Sequence, residues 1–472
     1  MEKYLPKINR SPVIEKVKLT SSIESVFGCF SELADAAFLN SSLETDAGRY
    51  SFIGIDPFLT LRGKGKELQM NFNGHTFLSK EDPFKCLESI IRTYKVDNPT
   101  SLPFISGGIG YLSYDLKDAI ETLPQKAKDD LKLPDIYFAF YRTLFIHDKK
   151  DPGHLYISIT TDGSDTSRSI SEYKKIIENI PEVHNAFETP ESYTPELRPE
   201  ISKTDYMDSV KKVLDYIRAG DIYQVCLSQR FRAGWPFAPY ELYRKLNDIN
   251  PAPFSAYLNF NDGKIISSSP ERFLHVADNI IETRPMKGTR PRSAEADKDA
   301  ALKEQLRTSI KDDAELSMIV DLERNDLGKV SVPGSVEVVE HRRLETYPTV
   351  FQTISIVKGT IERDTSMIDV IKASFPGGSI TGCPKIRAMK IIDELEPTTR
   401  SAYTGSIGYL SFHETMDLNI AIRTMIIKEN DVYFQVGGGI VADSDPSEEY
   451  EETIHKARAM MESLKACEMR LV

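Results

Sequence analysis

The pattern of apolar residues changes along the chain, and this change constrains the fold more than any other sequence feature. The first part contains short extended segments separated by turns, as at residues 49–55 and 155–159. Later segments carry apolar residues at helical spacing, most clearly at residues 205–219, and an extended segment follows at 222–231. Strands separated by long helices, after a strand-rich first part, indicate an α+β protein with large sheets.

A polar segment separates these two parts of the chain. Residues 187–200 are rich in Pro, Glu, Ser and Thr and hold few apolar anchors, as linkers do. We therefore predict an N-terminal strand-rich unit at residues 1–186, a linker at 187–203 and a C-terminal region at 204–472. Within the first and last of these, residues 107–114 and 405–412 resemble each other, which indicates two sheets with equivalent strands.

Three helices are predicted after the linker. The first covers residues 205–219, with Thr204 or Asp205 as a possible cap and Gly220 as its end. A charged helix is expected from about residue 297 into 320. A third is expected at 447–464, opened by the Asp445-Pro446-Ser447 signal.

Charge and cysteine usage exclude several classes of protein. The net charge of −12 argues against a nucleic-acid or anionic-membrane surface. No stretch approaches the roughly 18 apolar residues that a membrane helix needs, and the first residues lack the apolar core of a signal peptide. The five cysteines are scattered and never form C-x-x-C, which favours a reduced cytoplasm and gives no thiolate metal site. We expect a cytoplasmic protein that binds neither nucleic acid nor membrane.

Lys287 lies in a run that would make a lysine reactive. Residues 284–292 hold three arginines, two prolines and a glycine besides this lysine. Neighbouring cations favour the uncharged amine, as burial would, and a neutral lysine is a nucleophile. The alternative is a basic surface loop, because such runs are usually solvated.

Two pairs of carboxylates have the spacing of neighbours on a helix face. Asp312 and Glu315 lie three residues apart on the first charged helix, and Glu449 and Glu452 do so on the second, with Lys456 one turn further on. If these faces meet across a cleft, the carboxylates would suit Mg²⁺, which prefers oxygen ligands. The alternative for each pair is a solvated helix face.

Two further segments carry candidate functional groups. Glu271 stands in a turn after an apolar strand, where a carboxylate facing a cleft could act as a general acid or base, or simply form a salt bridge. Residues 437–439 are three glycines whose N–H groups could hold a carboxylate, although a flexible turn is equally consistent. Residues 377–385 lack the ending of a nucleotide P-loop, so that interpretation is rejected.

Taken together, these segments resemble the chorismate-utilising enzymes, most closely the aminodeoxychorismate synthase component I branch, with anthranilate synthase component I as the nearest other branch. The matching segments all occur in one order, at residues 220–230, 269–273, 284–292, 318–328, 375–382 and 437–441. The resemblance implies a large two-sheet antiparallel β-sandwich flanked by helices, with the active site in the C-terminal region.

The resemblance also implies roles for individual residues. Mg²⁺ would be bound by Glu315 and Glu452, with Asp312 and Glu449 assisting, and it would hold a carboxylate of chorismate. Glu271 would be the acid/base residue. The remaining substrate contacts would come from Thr289, Tyr403, Arg423, Gly438, Gly439 and Lys456.

Three positions bear on which reaction the resemblance implies. Gln224 stands where isochorismate-forming and salicylate-forming members carry a water-activating lysine, and an amide cannot act as that base. Lys287 stands where anthranilate synthases carry alanine, and this pattern resembles the members that aminate chorismate at C4 for folate synthesis. Gln352 falls at the family's usual histidine, so Glu271 or a water would carry more of the proton transfer.

The expected function is therefore Mg²⁺-dependent amination of chorismate to 4-amino-4-deoxychorismate. Ammonia would come from glutamine through a separate glutaminase subunit, because the chain lacks a glutaminase nucleophile motif. The alternatives are anthranilate formation with release of pyruvate, and a non-catalytic relative that keeps the fold.

Overall fold

The computed structural model of the protein describes residues 5, 8, 11–72, 74–163, 165–180, 195–347 and 350–465. The strands found in these residues are β1 (Val13–Lys18), β2 (Ala37–Asn40), β3 (Tyr50–Lys64), β4 (Glu67–Phe72), β5 (His75–Ser79), β6 (Gly107–Leu112), β7 (Ile136–Asp148), β8 (His154–Ile159), β9 (Arg198–Pro199), β10 (Gln224–Gly234), β11 (Phe254–Phe260), β12 (Gly263–Ser269), β13 (Arg272–Ala277), β14 (Ile280–Thr283), β15 (Met286–Pro291), β16 (Glu337–Thr346), β17 (Val350–Thr360), β18 (Gly382–Cys383), β19 (Ser406–Ser411), β20 (Met416–Asn419), β21 (Thr424–Lys428) and β22 (Asp431–Ile440). The α-helices are α1 (Ile23–Gly28), α2 (Pro83–Thr93), α3 (Ser167–Glu178), α4 (Lys203–Arg218), α5 (Pro239–Ile249), α6 (Ala296–Thr308), α7 (Ile310–Gly328), α8 (Met367–Ser374), α9 (Lys385–Leu395) and α10 (Pro446–Leu464).

The strands pair antiparallel in two sheets that share the long strands β3 and β7. One sheet runs β1-β8-β7-β3-β2-β11-β12-β21-β22-β10. The other runs β5-β4-β3-β7-β6-β19-β20-β13-β14-β17, with β15 and β16 also on β17. The register of β3 on β7 shifts between Pro57 and Leu59, and each strand serves the first sheet on one side of this shift and the second sheet on the other.

Aromatic side chains fill the space between the two sheets. Phe52 of β3 contacts Tyr409 of β19 edge to face, with ring centroids 5.3 Å apart. Tyr111 of β6 lies 5.5 Å from Phe260 of β11 by the same measure. These buried rings belong to one apolar cluster that joins the inner faces of both sheets. The expected α+β sandwich is therefore confirmed, because apolar faces of two antiparallel sheets pack on each other.

Local signals explain where the helices begin, with two corrections to the sequence analysis. Helix α4 is capped by Ser202, whose hydroxyl accepts from the Asp205 N–H, rather than by Thr204 or Asp205. The charged stretch 297–320 is not one helix: the extended backbone of Ser309 divides it into α6 and α7, and this serine caps α7. Helix α10 begins as expected, with the Asp445 carboxylate accepting from the first backbone N–H groups.

The two similar glycine-led segments form β6 and β19, which pair directly with each other rather than occupying equivalent places in separate sheets. Strand β2 likewise pairs with β11, so the parts before and after residue 187 contribute to the same sheets. Residues 187–194 of the predicted linker lie outside the described residues, and the division into domains stays a prediction. Among the helices that the structure describes, none is both long and apolar enough to cross a membrane.

Candidate active site

Lys287 lies on β15, next to a bulge at Gly288. The bulge separates the Lys287–Thr353 pair from the Thr289–Gln352 pair. Gly288 has φ of +77°, and a Cβ there would lie 3.0 Å from the Cβ of Asp312. Glycine is therefore required, both for the backbone conformation and for the close approach of α7 to β15. This approach places the nucleophile candidate beside the first carboxylate helix.

The arginines next to Lys287 in sequence do not surround its amine. Their guanidinium groups turn to acidic partners: Arg284 to Asp46, Arg290 to Asp312 and Arg292 to Asp299, each at 2.9 Å. The expectation that these cations keep the amine uncharged is therefore wrong. Successive side chains of a strand point to opposite faces, so neighbours in sequence need not share an environment.

Acidic groups face the Lys287 amine instead. Burial opposes the positive charge, but Cys226 and the carboxylates of Glu315, Glu271 and Glu452 outweigh it and raise the pKa of Lys287 above its ordinary value. The amine is therefore charged at neutral pH in this arrangement. It must lose a proton before it can attack carbon.

The glycines of β22 form the floor beneath these groups. A Cβ at Gly439 would lie 3.1 Å from the Lys287 Nζ and closer still to the side-chain amide of Gln224. A Cβ at Gly438 would lie 3.0 Å from Glu449 Oε2. Side chains at either position would fill the space in which the lysine and the carboxylates meet, so the glycines keep that space open. Both amide atoms of the buried Gln224 side chain lack hydrogen-bond partners among the described residues.

The carboxylates of α7 and α10 approach each other across this floor. Glu315 and Glu449 both have a raised pKa, first because of burial and also because Glu452 adds negative charge near each of them. The pKa of Glu452 is lowered, mainly by Lys456, whose Nζ lies 2.6 Å from Glu452 Oε1. Asp312 is held by Arg290 at the edge of the cluster.

This donor set fits a hard divalent cation. Glu449 Oε1 accepts from the Ser444 hydroxyl at 2.6 Å, whereas the buried Oε2 has no partner in the described part of the chain. A bound cation would reduce the electrostatic repulsion between the carboxylates of Glu315, Glu449 and Glu452. The described residues contain no preformed group of three or more His, Cys, Asp or Glu ligands. A cation here would keep few protein ligands, as Mg²⁺ prefers, and would complete its shell with water and a substrate oxygen.

Glu271 is buried at the junction of β12 and β13. Its backbone N–H donates to the Ser269 hydroxyl at 3.3 Å, which holds the turn. Burial raises the pKa of the Glu271 carboxyl to about 7, although the Ser379 hydroxyl and the Lys287 amine both lower it. A carboxyl group with this pKa exchanges a proton near neutral pH, as a general acid must. The salt bridges of this turn belong to Arg272, which pairs with Glu282 and Asp417.

Three candidate substrate-binding residues converge beside the carboxylates. Lys456 Nζ donates to the Gly437 carbonyl at 2.9 Å as well as pairing with Glu452. Arg423, whose φ is +52°, donates to the Lys456 carbonyl and lies close enough to Tyr403 and Glu452 to interact with both electrostatically. Two cations and a phenol hydroxyl therefore lie near one another beside Glu452.

Two other predicted residues lie on the paired strands β15 and β17. Thr289 is exposed and pairs in register with the half-buried Gln352. In the residues that the structure describes, no hydrogen bond or ion pair joins either side chain to the carboxylate cluster.

Sequence reasoning missed two residues of this region. Glu323 is buried on α7, accepts from the Thr283 hydroxyl at 2.7 Å, and has a pKa of about 8 because of burial. The nearby Glu271 carboxylate also raises this pKa. Lys311 adds positive charge near Glu315, Glu449 and Glu452. Its position one helical turn before Glu315 was a usable signal, whereas the burial of Glu323 depends on contacts between α7 and the sheets.

Comparison with known proteins identifies the family to which the chain belongs. The family described as chorismate binding enzyme matches residues 37–462. Aminodeoxychorismate synthase component 1 of Bacillus subtilis (strain 168) is 36% identical over 465 residues, covering 97% of this chain and 98% of that protein. Anthranilate synthase component 1 of Acetivibrio thermocellus is 37% identical over 460 residues, covering 93% and 92%. The crystal structure of anthranilate synthase component I from Streptococcus pneumoniae TIGR4 matches with a TM-score of 0.77 and 34% identity, covering 89% and 93%.

The chain therefore belongs to the chorismate binding enzymes. The fold and the family expected from the sequence are both confirmed. Relatives named aminodeoxychorismate synthase and anthranilate synthase are similar to this chain at nearly the same identity, so the particular reaction has to be argued from the site.

Proposed function

We propose that this protein catalyses the Mg²⁺-dependent amination of chorismate at C4, giving 4-amino-4-deoxychorismate for the synthesis of p-aminobenzoate and folate. The observation that carries the proposal is the position of the Lys287 amine. It lies above Gly439, between the carboxylates of α7 and α10 and near the buried Glu271. A lysine in this place can supply a nitrogen nucleophile to the ring of the substrate.

In the proposed reaction, Lys287 divides one displacement into two. Its neutral amine bonds to C2 of chorismate while both ring double bonds shift by one position and the C4 hydroxyl leaves with a proton as water. Ammonia then bonds to C4, both double bonds shift back, and the lysine amine is expelled. The net change replaces a hydroxyl group by an amino group and releases one water.

Glu271 is assigned the proton transfer to the departing hydroxyl. Its pKa of about 7 leaves a large protonated fraction at neutral pH. Gln352 can donate a hydrogen bond to that oxygen but cannot transfer a proton, because an amide does not titrate near neutral pH. Gln224 cannot act as a base for the addition of water at C2 for the same reason.

The remaining residues are assigned to binding. Arg423, Lys456 and Tyr403 would hold substrate carboxylates, together with the N–H groups of the β22 glycines and the Thr289 hydroxyl. Glu315 and Glu452 would bind Mg²⁺, with Glu449 and Asp312 assisting. When bound, Mg²⁺ would anchor a substrate carboxylate and offset the negative charge that raises the pKa of Lys287.

A second candidate is anthranilate formation, supported by the 37% identity to the Acetivibrio thermocellus anthranilate synthase component 1. The two reactions are separated by incubating the pure chain with chorismate, Mg²⁺ and an ammonium salt. Amination at C4 gives 4-amino-4-deoxychorismate and no pyruvate. Formation of pyruvate together with anthranilate fluorescence would contradict the proposal, and unchanged chorismate would favour a non-catalytic relative.

Ammonia for the reaction is assigned to a separate glutaminase subunit. The two synthases compared above are both named as component 1, which supports a partner. Adding a glutaminase component from such a relative, with glutamine in place of the ammonium salt, tests this assignment. Amination that responds only to free ammonium would contradict it.

A further inference from the structure

An acidic cavity of about 280 Å³ lies behind the substrate-binding residues. It is lined by the turn at Tyr114–Ala119, the end of α9, residues 125–135 and the loop that leads to Arg400. None of the catalytic, metal-binding or substrate-binding residues assigned above lines it. Its lining includes six carboxylates and three cationic side chains, so the walls carry an excess of negative charge.

Each lysine of the cavity is shared between two carboxylates, and Arg400 pairs with Glu396 at 2.6 Å. Lys64 pairs with Asp129 at 2.9 Å and with Asp135 at 2.8 Å. The buried Lys117 pairs with Asp118 at 3.0 Å and lies 3.8 Å from Asp115. Because each lysine is already paired, the cavity has no cation left to receive an anion, and its field favours a cationic ligand.

Two buried hydroxyl groups in the cavity wall lack a partner within the described ranges. Tyr114 is 2% exposed, and its hydroxyl makes no hydrogen bond. The buried hydroxyl oxygen of Thr399 also has no hydrogen-bond partner in the described residues. Buried polar groups are nearly always satisfied, so these oxygens indicate a small polar occupant of the cavity.

One buried side chain separates the cavity from the substrate site. The Arg400 guanidinium lies 4.7 Å from the ring centroid of Tyr114, in the cavity wall, and 5.8 Å from that of Tyr403, in the substrate site. It is held in place by Glu396, by the Cys226 carbonyl and by the Ile380 carbonyl. Cys226 also interacts with the Lys287 amine, so the inner wall of the cavity adjoins the nucleophile.

We propose that this cavity binds ammonium and is the entry point for the nitrogen substrate, which gives a proton to a wall carboxylate and passes on as ammonia. The inference rests on the proposed amination. Chorismate and Mg²⁺ would occupy the space between α7 and α10, and a second substrate needs an approach that they do not block. The acidic cavity offers such an approach on the opposite side of Arg400, and its negative field raises the local concentration of a small cation.

Ammonium-dependent kinetics without a glutaminase test the inference. Asp118→Asn and Asp129→Asn each remove one negative charge from the wall, and Ala127→Phe fills the cavity without changing its charge. We expect each variant to raise the KM for ammonium about threefold or more, while the KM for chorismate and the kcat stay unchanged. Asp97→Asn, at an exposed site outside the cavity, is the matched control and should behave as wild type.

Crystals soaked in thallous acetate give a readout that does not need activity, because Tl⁺ has a size close to that of ammonium. We expect an anomalous peak in the cavity near the Tyr114 hydroxyl. No peak there would overturn the inference, as would an unchanged KM for ammonium in all three cavity variants. Failure of the wild-type chain to aminate chorismate would instead overturn the proposed function, and the Tl⁺ map would still decide whether the cavity takes a cation.

Discussion

Glu271 allows a test in which stability and activity change in opposite directions. Its carboxyl is buried, and its pKa is about 7 rather than the ordinary 4.5. Between these two pH values the folded chain keeps a proton that the unfolded chain has released, so the free energy of unfolding falls as the pH rises through this window. Glu271→Gln places an uncharged amide of nearly the same shape at this position. The free energy of unfolding of this variant therefore does not fall as the pH rises through the window.

The size of the effect follows from the difference between the two pKa values. At 1.36 kcal/mol per unit, a shift from 4.5 to about 7 corresponds to about 3 kcal/mol. We expect E271Q to exceed wild type in unfolding free energy by less than about 1 kcal/mol near pH 5 and by about 3 kcal/mol near pH 8. Urea unfolding across this pH range measures the difference. The exposed Glu337→Gln controls for the loss of one negative charge.

The same variant should lose amination. Glutamine cannot give a proton to the leaving hydroxyl, and removing a general acid typically costs about 10²- to 10⁴-fold in rate. A difference in unfolding free energy that stays constant from pH 5 to pH 8 would refute the reasoning, because the carboxyl would then not be kept protonated by burial. Full activity of a properly folded E271Q would refute its role as the acid.

Four further variants test the remaining parts of the site. Lys287→Ala should abolish the covalent adduct seen by mass spectrometry after acid quenching and reduce amination by orders of magnitude; unchanged turnover would mean that the side chain only balances charge. Glu315→Gln and Glu452→Gln should each raise the Mg²⁺ concentration needed for half-maximal activity by about tenfold or more, as is typical when a ligand shell is disturbed; an unaltered Mg²⁺ requirement would remove them from the metal site. Gly438→Ala brings a Cβ to 3.0 Å from a carboxylate oxygen of α10 and should also raise the Mg²⁺ requirement without unfolding the chain in a thermal melt. Gly153→Ala, whose Cβ would meet no atom within 4 Å, should change neither quantity.

Features set by local sequence were predictable. The start of α10 follows from the Asp445 cap and the proline after it, and the carboxylate pairs lie on the same helix faces because three residues make nearly one turn. The break at Ser309 was missed because neither glycine nor proline marks it. There the serine hydroxyl caps α7 in a position that the helical period alone does not reveal.

Features set by contacts between distant segments were not predictable. The environment of Lys287 was misjudged because its neighbouring arginines pair with aspartates elsewhere, one of them as far away in sequence as Asp46. The direct pairing of β6 with β19 joins segments almost 300 residues apart, and their shared pattern indicated a relation without its geometry. The acid at Glu323 depends in the same way on burial against Thr283, which no local pattern encodes.

The site is assembled from both layers of the sandwich: the glycine floor belongs to β22 in one, and Lys287 belongs to β15 in the other. The shared strands β3 and β7 are where one layer turns into the other, at the Pro57 irregularity. The angle between the layers at this irregularity therefore helps to set the distance between Lys287 and the glycines of β22. We therefore expect substitutions around Pro57 to change this distance, although Pro57 contacts neither group.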